Sequence, residues 1–555
     1  MKHARIIKKF KIKKAHTKEG DIYMKKTRFF QTLIALTVAV SAALAGCSSA
    51  PQAGTNANTN ASGQTGTAAP DATKKAGGTL VIARLSDANN LDPHFLTQIN
   101  SAAIIHHKVY EGLVRMDKES KYVGALATEW KQLDDVTWEF KLRSGVTFHD
   151  GTPFNAEAVK ATIARVQDPA VGSNRANLFE AIKEVKVVDD QTVQFILHYP
   201  YTPLLSVLAS AEGGILSPKA IEQYGKELTK HPTGTGPYKF ESWTPGQEVV
   251  LVKNDSYWGD KPKLDKVVFK TVPEDTTRLA MVETGEAQVA EQLPVTEVDR
   301  VQNSTSMTLG RYASFSSEHI GINTKKKPFD DVRVRQAIAH AIDKPSIIQG
   351  VYNDVGTAAH ASVSPTMVGY SPNVKDAKYD LELSKKLLAE AGYANGFKAT
   401  IYLNDNKARI NVAEVLQQQL KQINIDLEVK VLEFGAYIDA ATKGETDLFI
   451  SGWGNATGDA DYNQYNLFHT KSQGAAGNHS FYSNPEVDKL IEEGRKEKDE
   501  EKRKQIYEKA QQIEMDEAAL VPYRYSENLA AIEKGVEGVW ISPAGHIEVD
   551  DITLP

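Results

Sequence analysis

The sequence predicts an α/β protein, and three observations predict it. Val412, Leu416, Leu420 and Ile423 repeat at helical spacing, and Leu427, Val429 and Val431 then repeat at strand spacing. A further apolar run, Leu448-Phe449-Ile450, completes a helix–strand–connection–strand unit, the building block of α/β folds. The composition agrees: 555 residues with 41% hydrophobic and 25% charged side chains are enough for more than two domains and several cores. It excludes disorder, collagen and coiled coil as descriptions of the whole chain.

The elements follow in chain order. Met24-Lys25-Lys26-Thr27-Arg28 is basic, Leu33 to Val40 is apolar apart from Thr37, and small residues lead to Cys47, the only cysteine. This is the three-part layout of a secretory signal, too short for a lasting membrane span, and Met24 fits as the start. Leu44-Ala45-Gly46-Cys47 resembles a bacterial lipobox, so residues 1–46 are expected to be removed and Cys47 lipidated. With one cysteine there is no disulfide framework and no cysteine-based zinc site. Residues 1–46 carry eleven Lys/Arg against two Asp/Glu, whereas the rest has 54 basic and 69 acidic residues. So acidic a body is not built for nucleic acid. From Ser48 to Gly78 the chain is nearly all small and polar and reads as a flexible tether, here bounded at 47–78.

Beyond it, Thr79 to Ala83 reads as a buried strand. In Thr137 to Arg143, Trp138, Phe140 and Leu142 alternate with polar residues, the mark of a strand buried on one face. Asn155 is placed to N-cap a helix whose Val159, Ile163 and Val166 share a face. Val185 to Leu197 reads as a hairpin turned at Asp189-Asp190. Thr233-Gly234-Thr235-Gly236-Pro237 is a turn cluster suited to a crossing between domains. Pro485 to Ala518 predicts two highly charged helices.

Enzyme signatures are missing: there is no G-x-S-x-G, H-E-x-x-H or phosphate-binding loop, and no nucleophilic cysteine in the body. His106 and His107 are expected to be ordinary helix residues and His149 a structural turn residue, so no metal site and no cofactor is expected. The unusual segment is Leu448 to Asp461, an apolar strand running into a Gly-rich loop with Trp453, Asp459 and Asp461. Ligands of α/β sheets bind beyond the carboxyl ends of strands. There Asp461 can take a ligand ammonium and Trp453 can form a flat wall. The same residues serve equally as turn, N-cap and core.

Three blocks then carry a family resemblance: Trp138 to Phe154, Gly234 to Tyr238 with Asn254 to Trp258, and Asn323 to Ala337. They are similar to the family 5 solute-binding proteins of peptide-type ABC importers, over the body from Gly77 onward. The resemblance implies a bilobal periplasmic-binding-protein-like fold with a hinge and a third, smaller domain inserted in the first lobe. Its expected parts are 79–117, 234–330 and 515–555 for lobe I, 118–233 for the inserted domain, and 331–514 for lobe II. It also implies that Asp461, or Asp459 if the register slips, holds a ligand ammonium, and that Arg409 holds a carboxylate. The loop looks closest to the glutathione and short-peptide branch. The implied protein is a non-enzymatic monomer, exported and held by lipid on the outer face of the bacterial cytoplasmic membrane. It would pass short peptides or glutathione to importer permease subunits. A receptor for a nickel chelate, sugar or opine, and less readily an exported hydrolase, are the alternatives.

Overall fold

The computed structural model describes residues 77–474 and 477–555. The leader, Cys47 and the tether as far as residue 76 lie outside the described residues. The tether ends earlier than expected: the Gly77 N–H donates to the Lys263 carbonyl at 2.8 Å, and that of Gly78 to Asp265 Oδ2 at 2.9 Å. Among the described residues no helix is long and apolar enough to cross a membrane.

The strands that matter for the site are β1 (Thr79–Arg84), β2 (Ala127–Gln132), β3 (Thr137–Leu142), β4 (Ile182–Asp189), β5 (Thr192–Leu197), β6 (Tyr238–Thr244) and β7 (Glu248–Lys253). They continue with β8 (Lys266–Thr271), β9 (Val289–Glu291), β10 (Met307–Ile322), β11 (Phe397–Asn404), β12 (Ile425–Leu432), β13 (Leu448–Trp453) and β14 (Leu520–Glu533). The large sheet runs β12-β11-β13-β10-β14-β9-β1-β8-β7-β6, with the short strand Thr357–Ala358 beside β14. Parallel pairs (β1 with β8 and β9, β11 with β12 and β13) sit on either side of the antiparallel pair β10–β14. That pair is shared by both lobes. Met307–Ala313 pairs with Glu527–Glu533 beside β9, while Ser317–Gly321 pairs with Leu520–Tyr525 beside β13. Between them the register slips at Ala313/Ser317 and again at Glu318/His319. Such bulges break a ladder and re-aim side chains, so the two-strand crossing has its weakest pairing midway.

Each half has its own core. Leu80, Ile82, Leu251, Val267 and Phe269 pack in one, and Ile401, Val412, Leu416, Leu420 and Leu448 in another. Ile320 and Ile322 already belong to the second core, ahead of the boundary at 330. A separate four-stranded sheet, β2-β3-β5-β4, carries a third core that includes Phe140, Val159, Ile163 and Phe195. The helix Ala156–Gln167 over it begins as the sequence predicts, with Asn155 Oδ1 accepting from the Ala158 N–H at 3.2 Å. The glycines of 234–236 permit a close approach: a Cβ at Gly234 would lie 2.0 Å from the Val109 carbonyl oxygen. His149 is structural as expected, its ring 2.9 Å from the Gly236 carbonyl. His106 and His107 differ from expectation. They follow the helix Ile99–Ile105 instead of lying in it: His106 is its extended C-cap, and His107 turns to a left-handed φ of 57°.

Candidate functional site

The break in β10 is where the cavity lies. Phe315 and Ser316 sit in the slipped register, and the Phe315 N–H donates to Pro543 at 2.8 Å instead of to a ladder partner. Around them is a cavity of about 440 Å³, a usual size for a small-molecule site. One wall comes from the helix start at Thr97–Ile99 and from Arg175 and Glu212; the other is the end of β13, Gly452 to Ala456. Ile99 and Phe434 are two of the few large apolar side chains left exposed, at 47% and 55%, and both line it.

Trp453 stands in this wall, as the sequence suggests, its ring 5.8 Å from that of Tyr462. Its buried indole N–H has no partner. The loop behind it is fixed by Asn455, whose Oδ1 accepts from the N–H groups of Thr457 and Gly458 at 2.8 and 2.7 Å. Gly458 takes a φ of 72° against the Phe315 ring, where a Cβ would come within 2.7 Å. The wall is therefore preformed.

Two charges in the cavity went unnoticed in the sequence. Arg175 Nε lies 3.5 Å from Glu212 Oε1, an ion pair without a hydrogen bond, and this Nε is buried and unpartnered. Burial pushes the Glu212 carboxyl above its ordinary pKa, against the pull of Arg175. A buried acid and a half-buried base, loosely coupled, face one space. Nothing local announces them, because one sits in a loop and the other in a single turn of 3₁₀ helix, Ala211–Gly213.

Arg409 lines an adjoining chamber of about 140 Å³ that shares Phe434, Gly452 and Trp453 with the main cavity. Its Nη1 donates to Asn404 at 2.9 Å, while its Nε is buried without a partner. Gly452 makes room for it, since a Cβ there would fall 2.8 Å from Nη2. His319 in the same chamber is held neutral: burial first, then the Arg409 charge, lowers its pKa to about 3.

Asp459 and Asp461 have protein partners. Asp459 takes the Arg503 guanidinium in a bidentate pair at 2.7 and 2.8 Å, accepts from Ser206 at 3.2 Å, and N-caps the helix Ala460–Phe468. Asp461 is paired with Arg495 at 3.2 Å and accepts from the Tyr507 hydroxyl at 3.1 Å. Burial raises its pKa; Arg495 opposes the shift and the Asp459 charge adds to it. Asp461 faces a further space of about 210 Å³ with Tyr201, Tyr465 and Arg495, and does not line the cavity that Trp453 walls.

Residues 121–475 match the family of bacterial extracellular solute-binding proteins, family 5 (middle). The glutathione-binding protein GsiB of Shigella flexneri is 34% identical over 484 residues, 86% of this chain and 94% of that protein. Among solved structures, DppA of Helicobacter pylori in complex with the peptide STSA has a TM-score of 0.75 at 31% identity, over 86% of this chain and 98% of that one. The dipeptide-binding protein of Pseudoalteromonas sp. SM9913 in complex with Met-Leu has a TM-score of 0.76 at 28% identity, over 86% and 99%. These neighbours are bilobal binding proteins, and the two half-sheets joined by β10 and β14 are this chain's version of that design. A cavity at the crossing strands, lined by aromatic rings and buried unpartnered donors, is what a protein that captures a solute needs, and the chain belongs to the bacterial extracellular solute-binding proteins of family 5.

Proposed function

We propose that this protein binds short peptides, with glutathione the best-fitting example, and delivers them to an ABC importer. The observation that carries the reading is the set of three charges around two adjoining spaces that share a wall. Glu212 offers a buried carboxylate for an ammonium, and Arg175 and Arg409 offer buried, unpartnered N–H groups for carboxylates. Glutathione has one ammonium and two carboxylates: an α-amino-acid end for Glu212 with Arg175, and a far carboxylate for Arg409. Charge-assisted hydrogen bonds of this kind are about twice as strong as neutral ones and fix orientation. Trp453, Phe315 and Phe434 supply the apolar walls. The names of the relatives, a glutathione-binding protein and two peptide complexes, support the same ligand class.

In this reading Asp459 and Asp461 hold the loop through Arg503 and Arg495, and the ammonium role passes to Glu212. Binding draws the lobes together about β10 and β14, and the closed form is what the permease recognises. The protein works by capture and release, without catalysis. Lipid on Cys47 holds it, as a monomer, at the outer face of the membrane, since two or more acyl chains anchor stably at about 0.8 kcal/mol per buried CH₂. Mass spectrometry of small molecules retained by the natively purified protein tests the reading. A retained peptide supports it; a retained opine, sugar or nickel chelate replaces it.

A further inference from the structure

Beside the ligand cavity lies a second, smaller one of about 50 Å³, and His546 is among the residues that line both, with Ala211, Phe315 and Ala456. His546 and Glu548 come from the C-terminal hairpin of Trp540–Ile541 and Ile547–Glu548. They meet His106, which follows the helix Ile99–Ile105. His106 Nδ1 lies 2.9 Å from His546 Nδ1, and one ligating atom from each of His106, His546 and Glu548 falls within 4.8 Å of the others. We propose that His106, His546 and Glu548 form a binding site for a divalent cation of the zinc class, with its open coordination position toward the small cavity.

Several features make this more than a histidine contact. His106 Nε2 lies 3.2 Å from the Ala209 carbonyl and donates its proton there. That leaves the Nδ1 lone pair aimed at His546. A metal-ligating histidine commonly has its other nitrogen fixed in this way by a carbonyl. Burial, the largest cause for both rings, keeps them neutral: His106 is shifted well down and His546 to about 3. Neutral imidazole is the ligating form. The 2.9 Å gap is short of the roughly 3.3 Å between two nitrogens on a tetrahedral zinc, so to bind the ion the rings must part by a few tenths of an ångström and turn their Nδ1 lone pairs from each other toward it. Two imidazoles and one carboxylate are a borderline donor set, suited to zinc or nickel above calcium or magnesium.

The neighbours are accounted for. His107 stacks on His106 with centroids 3.8 Å apart, and its Nδ1 is 3.7 Å from Glu548 Oε2. Lys108 is the opposing charge. Its buried ammonium donates to the His106 carbonyl at 3.2 Å and faces Glu548, Asp550 and Glu291. In apo protein the short N···N contact is one hydrogen bond, His546 Nδ1–H to His106 Nδ1. Metal binding moves that proton to His546 Nε2, so no net proton leaves the ring.

The test uses purified protein stripped with EDTA and titrated with Zn²⁺ against a chromophoric chelator, and separately with Co²⁺ read by its visible d–d bands. One equivalent should bind with intense tetrahedral Co²⁺ bands. His546→Ala and Glu548→Gln should each weaken Zn²⁺ at least tenfold, while His340→Ala, outside the cluster, should change nothing. His546 is buried and Glu548 half-buried, so melting curves matching the wild type are required to show that each variant is folded, and Glu548→Gln, which keeps the side chain's shape, carries the test if His546→Ala does not fold. Absence of a stoichiometric site in the wild type, or unchanged affinity in both cluster variants, overturns the proposal.

Discussion

Replacing Asp459 by alanine separates a residue that holds the loop from one that holds the ligand. The carboxylate makes a bidentate pair with Arg503, accepts from Ser206, and caps the helix Ala460–Phe468 through the Asp461 N–H at 2.8 Å. Both members of the pair are buried, with side chains 3% and 5% exposed. Removing one partner of a buried pair costs about 3–5 kcal/mol, because the other charge is left without compensation. The lost cap overlaps with this and adds up to about 1 kcal/mol. At roughly 2 °C per kcal/mol for a large domain, melting should fall by roughly 8 °C. Asp459→Asn keeps the capping oxygen and loses the charge, so its drop should be smaller. Scanning calorimetry of both variants, with peptide titration well below the melting onset, gives the readout. Asp459→Asn should bind ligand within about tenfold of the wild type. A variant that melts like the wild type and has lost its ligand would refute the assignment of Asp459 to the loop.

Cys47→Ser should release the body from the membrane, read by fractionation, and unchanged retention would remove the lipid-anchor reading. Glu318 on β10 accepts from Arg524 at 3.0 Å. Burial pushes its pKa up, but the charges of Arg524 and Arg409 outweigh it, so the folded value lies below 4.5. A lowered carboxylate stabilises the fold above its unfolded pKa, and that contribution is lost as pH falls through the folded value. The melting gap between wild type and Glu318→Gln should therefore be full above about pH 4.5 and shrink in more acid; a gap constant with pH contradicts this. Arg409→Met should weaken peptides with a free C-terminus by tenfold or more and leave their amidated forms nearly unaffected. Calorimetric titration measures it, and equal losses for both forms would take Arg409 out of carboxylate binding.

Much of the fold could be read in the chain because periodicity is a local signal. The helix Lys407–Lys421 buries Val412, Leu416 and Leu420, as their spacing requires, and Asn155 caps where expected. In β12 the alternation overstates burial: Leu427 is buried but Val431 is 43% exposed, because β12 is the edge of the sheet and its outer end is uncovered. Trp453 could be singled out in the sequence because it lies at the carboxyl end of a strand in a half with α/β order, and Arg409, which follows the strand Phe397–Asn404, only through the family resemblance. Arg175, Glu212 and His546 were not. They are brought to the cavity from segments that follow the helix Ala156–Gln167 and the four-stranded sheet, and from the C-terminal hairpin, through contacts far apart in sequence. The partners of the aspartates were hidden for a related reason. A Gly-Asp-x-Asp loop looks alike whether its carboxylates meet a ligand or meet arginines more than thirty residues away, and Arg495 and Arg503 carry no mark of that pairing.

The most direct test is a calorimetric double-mutant cycle with glutathione and its N-acetylated form, run on the wild type, Glu212→Gln and Asp461→Asn. If the ammonium meets Glu212, removing either partner should weaken binding by roughly two to three powers of ten, as for buried charge pairs. Acetylation should then cost the Glu212→Gln protein little more, while Asp461→Asn loses as much on acetylation as the wild type does. Additive losses at Glu212, or coupling that appears at Asp461 instead, would contradict the account.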